Sequence, residues 1–277
     1  MPLRIGLRFA APNAAKRIFM KKQDTLAMNT LVWHFSLQAM PGSALPVAGQ
    51  RLHTIDNPVA DGRGWGGSIY PLDALNYARL VYTGCHVAIR ELSGTLRSNG
   101  IQYFASDCTM VTGYVDVRDV LVRFARYCAL DALRVQASIM LRLLPSLTAH
   151  ADRLASLTDD CDLRKASNAA HNAWTDVAHA ANVVGYGGSE SVQWAAVNAS
   201  HAADAADAAS DATNSQTDVI RNVVSAAEMA SNTASIADSY ARHDVPHYGY
   251  KCSSPTSDAQ NKWLDTELRA ALARKAK

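Results

Sequence analysis

The chain has 277 residues, 48% of them hydrophobic but only 7% aromatic, and a formal net charge of +2. That length allows one large domain or two modest ones. No apolar run approaches the roughly 20 residues that a membrane-spanning helix needs, which argues against a membrane partner. The charge is segregated: residues 1–150 carry 16 Lys/Arg and 9 Asp/Glu, residues 151–245 carry 5 and 13, and residues 246–277 carry 6 and 3. An acidic middle argues against direct nucleic-acid binding, which rests on Lys and Arg, and fits a basic protein surface instead. The five cysteines (Cys85, Cys108, Cys128, Cys161, Cys252) are odd in number and scattered, a poor disulfide framework with no metal-type pair. Reduced thiols in a bacterial cytoplasm are the expectation.

Residues 1–27 hold Arg4, Arg8, Lys16, Arg17, Lys21 and Lys22 against Asp24 alone, a basic arm expected to be disordered. Arg8 and Pro12 interrupt the apolar core that a secretory signal requires, and Met28 is a candidate alternative start. Leu31, Trp33, Phe35 and Leu37 alternate with Val32, His34 and Ser36, the period of a strand with one buried face. A short strand is expected over Arg51–Ile55, then a loop over Asp56–Gly67. Pro71 suits the first turn of a helix through Ala78. Further strands are expected at Val87–Glu91, Ile101–Ala105 and Thr109–Val115, which makes residues 28–116 a small α+β domain. A long helix over about residues 117–145, ended by Pro145, connects it to an Ala-rich helical domain over 146–277. The fold class is therefore α+β with a C-terminal Ala-rich antiparallel helical bundle.

From Ala166 to Ala241, 23 of 76 residues are Ala, and no Leu or Phe occurs between Arg164 and Trp263. Alanine has the best helix propensity. Helices are expected at Ser146–Leu157, Asp159–Val184, Ser189–Thr213, Thr217–Arg242 and Ser257–Lys275. Breaks fall at Gly185–Gly188, at Asn214–Gln216 and in a linker over Asp244–Ser254. Val192, Ala195, Ala199, Ala202, Ala206 and Ala209 lie on one seam at 3-4 spacing, and Val219, Val223, Ala226, Ala230, Thr233 and Ala237 on a second. The two helices should form an antiparallel hairpin. Asp204, Asp207, Asp211 and Asp218 then project from its outer face, as a solubilising surface or as a partner-binding stripe. Trp174, Trp194 and Trp263 are expected to fill gaps in the bundle, although an exposed Trp would be a natural binding anchor.

No residue pattern specifies a reaction, and no catalytic residue, cofactor or metal is expected. His243 and His247 are four apart, but Pro246 breaks any helix between them. Gly62-Arg-Gly-Trp-Gly-Gly67 is Gly-rich without phosphate-loop spacing. Asp159-Asp160 suits helix capping better than chemistry.

Gly64-Trp-Gly-Gly-Ser-Ile-Tyr-Pro-Leu-Asp-Ala-Leu-Asn-Tyr-Ala78, following Leu31-Val-Trp-His-Phe35, resembles an uncharacterised domain common in bacteriophage and prophage proteins. There the pattern is Gly-[Leu/Phe]-His-Ala-Ser followed by Pro-Leu-Asp-Ala-Leu-x-Tyr, often with an Ala-rich helical tail. Gly66 stands here at that family's histidine position. The resemblance implies a mobile-element origin. The leading expectation is a non-enzymatic protein-binding factor, monomeric or a small homo-oligomer, that inhibits a host defence complex with a basic surface, such as a CRISPR surveillance complex. Two alternatives are a nucleotide-dependent transferase using Gly62–Gly67 with Arg63, and a structural or virion-associated protein.

Overall fold

Alternating side chains over Thr30–Ser36 form the first strand, β1, of a computed structural model that describes residues 29–36, 44–56, 58, 64–81, 85–184, 190–215, 218–242 and 255–275. The basic arm, Gly62, Arg63, the Gly185–Gly188 turn, the 244–254 linker with Cys252, and His243 and His247 lie outside the described residues. β2 (Arg51–Leu52), β3 (Trp65–Gly67), β4 (His86–Ser98), β5 (Tyr103–Met110) and β6 (Val115–Asp116) complete one antiparallel sheet. β1 pairs with β4, with Trp33 opposite Ile89, and β4 pairs with β5. The free edge of β5 takes β2 beside Cys108 and Thr109, and β3 beside Tyr103, Phe104 and Ala105.

The sheet then closes on itself. Ser68, the residue after β3, bridges to Trp33 on the other edge of β1, through N–H to carbonyl bonds of 2.8 and 3.1 Å. Closure gives the sheet two buried faces where one was expected. Val32, Leu52, Ala88, Leu92, Cys108 and Met110 pack on the inside, with Trp65, Tyr103 and Tyr114 against them. Trp33, Phe35 and Val87 face the helices. Leu31, expected inside, is exposed.

The strand limits also differ from the expectation. β4 runs 13 residues, because Gly94, at φ +75°, absorbs a register shift between Ser93 and Leu96 and lets the ladder continue. The two strands expected between Ile101 and Val115 are instead one strand, β5, followed by the two-residue β6. The end of the expected loop is β3.

The helices follow the local signals more closely: α1 (Pro71–Val81), α2 (Arg118–Leu143), α3 (Thr148–Ala155) after a short 3-10 turn, α4 (Leu163–Val184), α5 (Glu190–Asn214), α6 (Val219–Arg242) and α7 (Pro255–Lys275). Pro71 opens α1, and Leu72, Ala74, Leu75 and Ala78 are buried, so much of the Pro-Leu-Asp-Ala-Leu motif is core packing. The cap of α4 is Asp162 rather than Asp159-Asp160: its Oδ1 accepts the Arg164 and Lys165 N–H groups at 2.9 and 3.2 Å. The carbonyls of Asp159 and Cys161 instead accept Arg126 Nη1, at 2.9 and 2.7 Å.

One apolar core runs without a break from Trp33 and Phe35 through α1 and α2 into α4–α7. The connecting helix is therefore a shared wall, and the boundaries near residues 116 and 145 do not interrupt the packing. α7 turns back to the sheet. Trp33 Nε1 donates to Asp265 Oδ1 at 3.2 Å, and the Arg269 guanidinium lies 5.2 Å from the Trp33 ring centre. Trp263 fills a gap as expected, with its ring stacked 5.5 Å from that of Tyr127 on α2.

Candidate functional site

Both alanine seams are buried along most of their length. α5, however, is more than half of a hairpin, because it packs against α2 and α4 as well as α6. Ala202, Ala203, Ala205, Ala206, Ala208, Ala209 and Ala212 are all buried, on several sides of the helix. Between Ala202 and Ala212 the exposed residues are Asp204, Asp207 and Asp211. Their spacing places them on one line. They form a ridge, the open edge of a helix otherwise enclosed by its neighbours.

Asp207 is tied to α4: Ser167 Oγ donates to its Oδ1, and His171 Nε2 lies 3.5 Å from Oδ2. His171 in turn meets Trp174 edge-on, with ring centres 6.1 Å apart. Trp174 is 38% exposed and therefore does not fill a gap. An exposed aromatic ring thus stands beside His171, the residue that meets Asp207. Asp218 does not extend that line. It precedes α6, where its N–H donates to Ser215 Oγ at 2.8 Å and its Oδ1 lies 3.6 Å from Arg221 Nη1. Burial lowers the basicity of His201, one turn before the ridge, against the opposing pull of Asp204.

A second feature lies where the sheet closes. A cavity of about 260 Å³ is walled by Trp33, Phe35, Trp65 and Phe104, by Tyr77 of α1, and by Gly64, Gly66 and Gly67. Gly67 has no room for a side chain, since a Cβ there would sit 2.4 Å from Val32 Cγ2. Gly66, at the histidine position of the resembling family, would place a Cβ 3.4 Å from the edge of Phe104.

Arg90 and His34 enter this cavity from the inner face of the sheet. Arg90 Nη2 donates to the Tyr114 hydroxyl at 2.5 Å, and the same hydroxyl lies 2.8 Å from His34 Nδ1. Arginine only donates, so the Tyr114 hydroxyl accepts from Arg90, and which of Tyr114 and His34 donates in their own bond depends on the imidazole tautomer. Desolvation and the Arg90 charge both push His34 well below the usual histidine range. Burial raises the Tyr114 phenol. Sequence reading missed this cluster, because His34, Arg90 and Tyr114 lie on three separated segments and form no motif.

Trp65–Gly67 is the described end of the Gly-rich stretch, with Gly64 before it. Its backbone pairs with β5 and, one residue on, with β1. Among the described residues, no group of three or more His, Cys, Asp or Glu is placed to hold a metal ion. Cys85, Cys108 and Cys128 are buried free thiols, and burial pushes the Cys85 thiol up to about 11. No described helix is long and apolar enough to cross a membrane. No protein-family model matches the sequence, and neither a curated protein nor a solved structure matches the chain.

Proposed function

We propose that the protein is a non-enzymatic binding factor of a phage or other mobile element. It docks its α4–α5 face on a basic host protein complex, with a defence assembly such as a CRISPR surveillance complex as the target class. The observation that carries this reading is the pairing of the Asp204–Asp207–Asp211 ridge with the exposed Trp174. Exposed Trp side chains are favoured anchors at interfaces, and a line of carboxylates steers a basic partner. The surplus of acidic residues over 151–245 extends the same field. The mobile-element origin rests on the motif resemblance, and the defence target on the electrostatics of complexes that hold RNA on basic surfaces.

The test is capture from bacterial lysate with the wild-type chain and with an Asp204→Lys/Asp211→Lys/Trp174→Ala variant, followed by mass spectrometry. Asp204 and Asp211 are exposed and should each move stability by about 0.5 kcal/mol or less, whereas Trp174, 38% exposed, costs more on truncation, so the variant's melting temperature is measured alongside. The wild type should retain a basic complex that rising salt releases, and the variant should not. If the variant captures the same proteins with the same salt dependence, the ridge is a solubility device and this reading fails.

A further inference from the structure

Arg90 is only 6% exposed, and arginine is almost never that buried without an acidic partner. Among the described residues no carboxylate is within ion-pair distance of it; its contacts are the Tyr114 hydroxyl and the rings of Trp65 and Tyr114, at 5.6 and 5.8 Å. Aromatic rings offset part of a buried charge, but not the whole desolvation cost. The Arg90 Nε atom is also buried without a hydrogen-bond partner. The side chain lines a cavity that has aromatic walls and, among the described residues, no acidic one. A desolvated cation with no carboxylate partner among the described residues, lining a partly open cavity, is a site for an anion. The walls decide what kind. Trp65 and Tyr77, both half-buried, present flat unsaturated surfaces, and about 260 Å³ has room for one or two fused rings.

We infer that this cavity binds a small flat organic anion, an aryl or heteroaryl carboxylate, with its carboxylate on Arg90 and its ring against Trp65 and Tyr77. This site is independent of the α4–α5 face. The missing side chain at Gly66 keeps its wall open, and the neutral His34 adds no competing charge. Ligand binding would complete the charge balance of the inner sheet face and stabilise the closure of β3 against β1.

The test is titration calorimetry with indole-3-carboxylate, against indole-3-carboxamide and acetate, on the full chain at neutral pH. Indole-3-carboxylate should bind to a single site and raise the melting temperature. Removing the charge or the ring should weaken binding by about tenfold or more, as expected for a hydrogen-bonded ion pair within an aromatic slot. Arg90→Met should abolish binding while leaving the ligand-free melting temperature unchanged or higher, since a buried unpaired charge is replaced by an apolar side chain of similar length. If Arg90→Met does not fold, Gly66→Leu decides. Its Cβ meets the Phe104 edge at 3.4 Å and the Tyr103 carbonyl oxygen at 3.8 Å, its side chain occupies the cavity wall, and binding should be lost. Three results would overturn the inference: equal binding of amide and carboxylate, binding retained in Gly66→Leu, or no binding of indole-3-carboxylate at millimolar concentration.

Discussion

Two adjacent glycines in β3 differ in what they demand. A Cβ on Gly67 would lie 2.4 Å from Val32 Cγ2 and 2.8 Å from the Trp33 carbonyl oxygen, a backbone atom that cannot step aside. Gly67→Ala should therefore open the closure of the sheet and cost about 1–3 kcal/mol, the range for overpacking. Gly66→Ala meets a ring edge at 3.4 Å without positive φ, and should stay within about 1 kcal/mol of wild type. Urea unfolding of the two variants checks this, and equal losses would mean that β3 does not approach β1 so closely. His34 supplies a pH test. Its native pKa is depressed, so at low pH the unfolded chain takes up a proton that the native state resists. Stability should fall as pH drops below about 6.5, by up to about 1.4 kcal/mol per pH unit for one proton. His201 shifts the same way, so His34→Gln should remove part of that slope, leaving the rest to His201. An unchanged slope between pH 7 and 5 in His34→Gln would refute the assignment. The sequence showed the glycines and the histidine but not these roles. A close approach between Gly67 and Val32, or a charge from Arg90 beside His34, arises only when distant segments meet.

Helices were legible because their signals are local: Pro71 at a start, Pro145 at a stop, a run of alanine between. The strands were less so: the one expected at Val87–Glu91 runs on to Ser98, because Gly94 lets β4 continue. α5 meets α6 along the expected seam, and α2 and α4 as well. A single 3-4 seam implies one partner helix, but alanine is small enough to admit neighbours on several sides, so residues off the seam are buried as well. Ala205 separates the two pictures. It lies off the seam containing Ala202 and Ala206, yet all three are fully buried. Ala202→Leu, Ala206→Leu and Ala205→Leu should each destabilise the protein by about 1–3 kcal/mol, because none of the three has space to spare. Thermal melts of the three variants give the comparison. An unchanged melting temperature for Ala205→Leu alone would restore the two-helix hairpin.

At the scale of the whole molecule, composition suggested two modules: a basic N-terminal part with strands and an acidic part made of alanine helices. Composition describes neighbours along the chain, whereas the core joins residues far apart in it. Trp33 bonds to Asp265, Leu72 N–H to Asn261 Oδ1 at 3.0 Å, and Arg79 to Glu228 at 2.7 Å, and each contact crosses the expected boundary. With α2 packed on both sides, the sheet should not outlast the bundle. We therefore expect one cooperative transition for the described fold. Ala206→Leu tests it, since its clash lies in α5, outside the sheet. Hydrogen exchange followed by mass spectrometry in increasing urea should show the amides of β4 and β5 losing protection at the same lowered midpoint as those of α5 and α6. The shift should match the roughly 1–3 kcal/mol seen in the melts. A sheet whose midpoint stays at the wild-type value while the helices open early would mean two independent folding units. In that case the contacts of Asp265, Asn261 and Glu228 would be docking contacts between them rather than parts of one core.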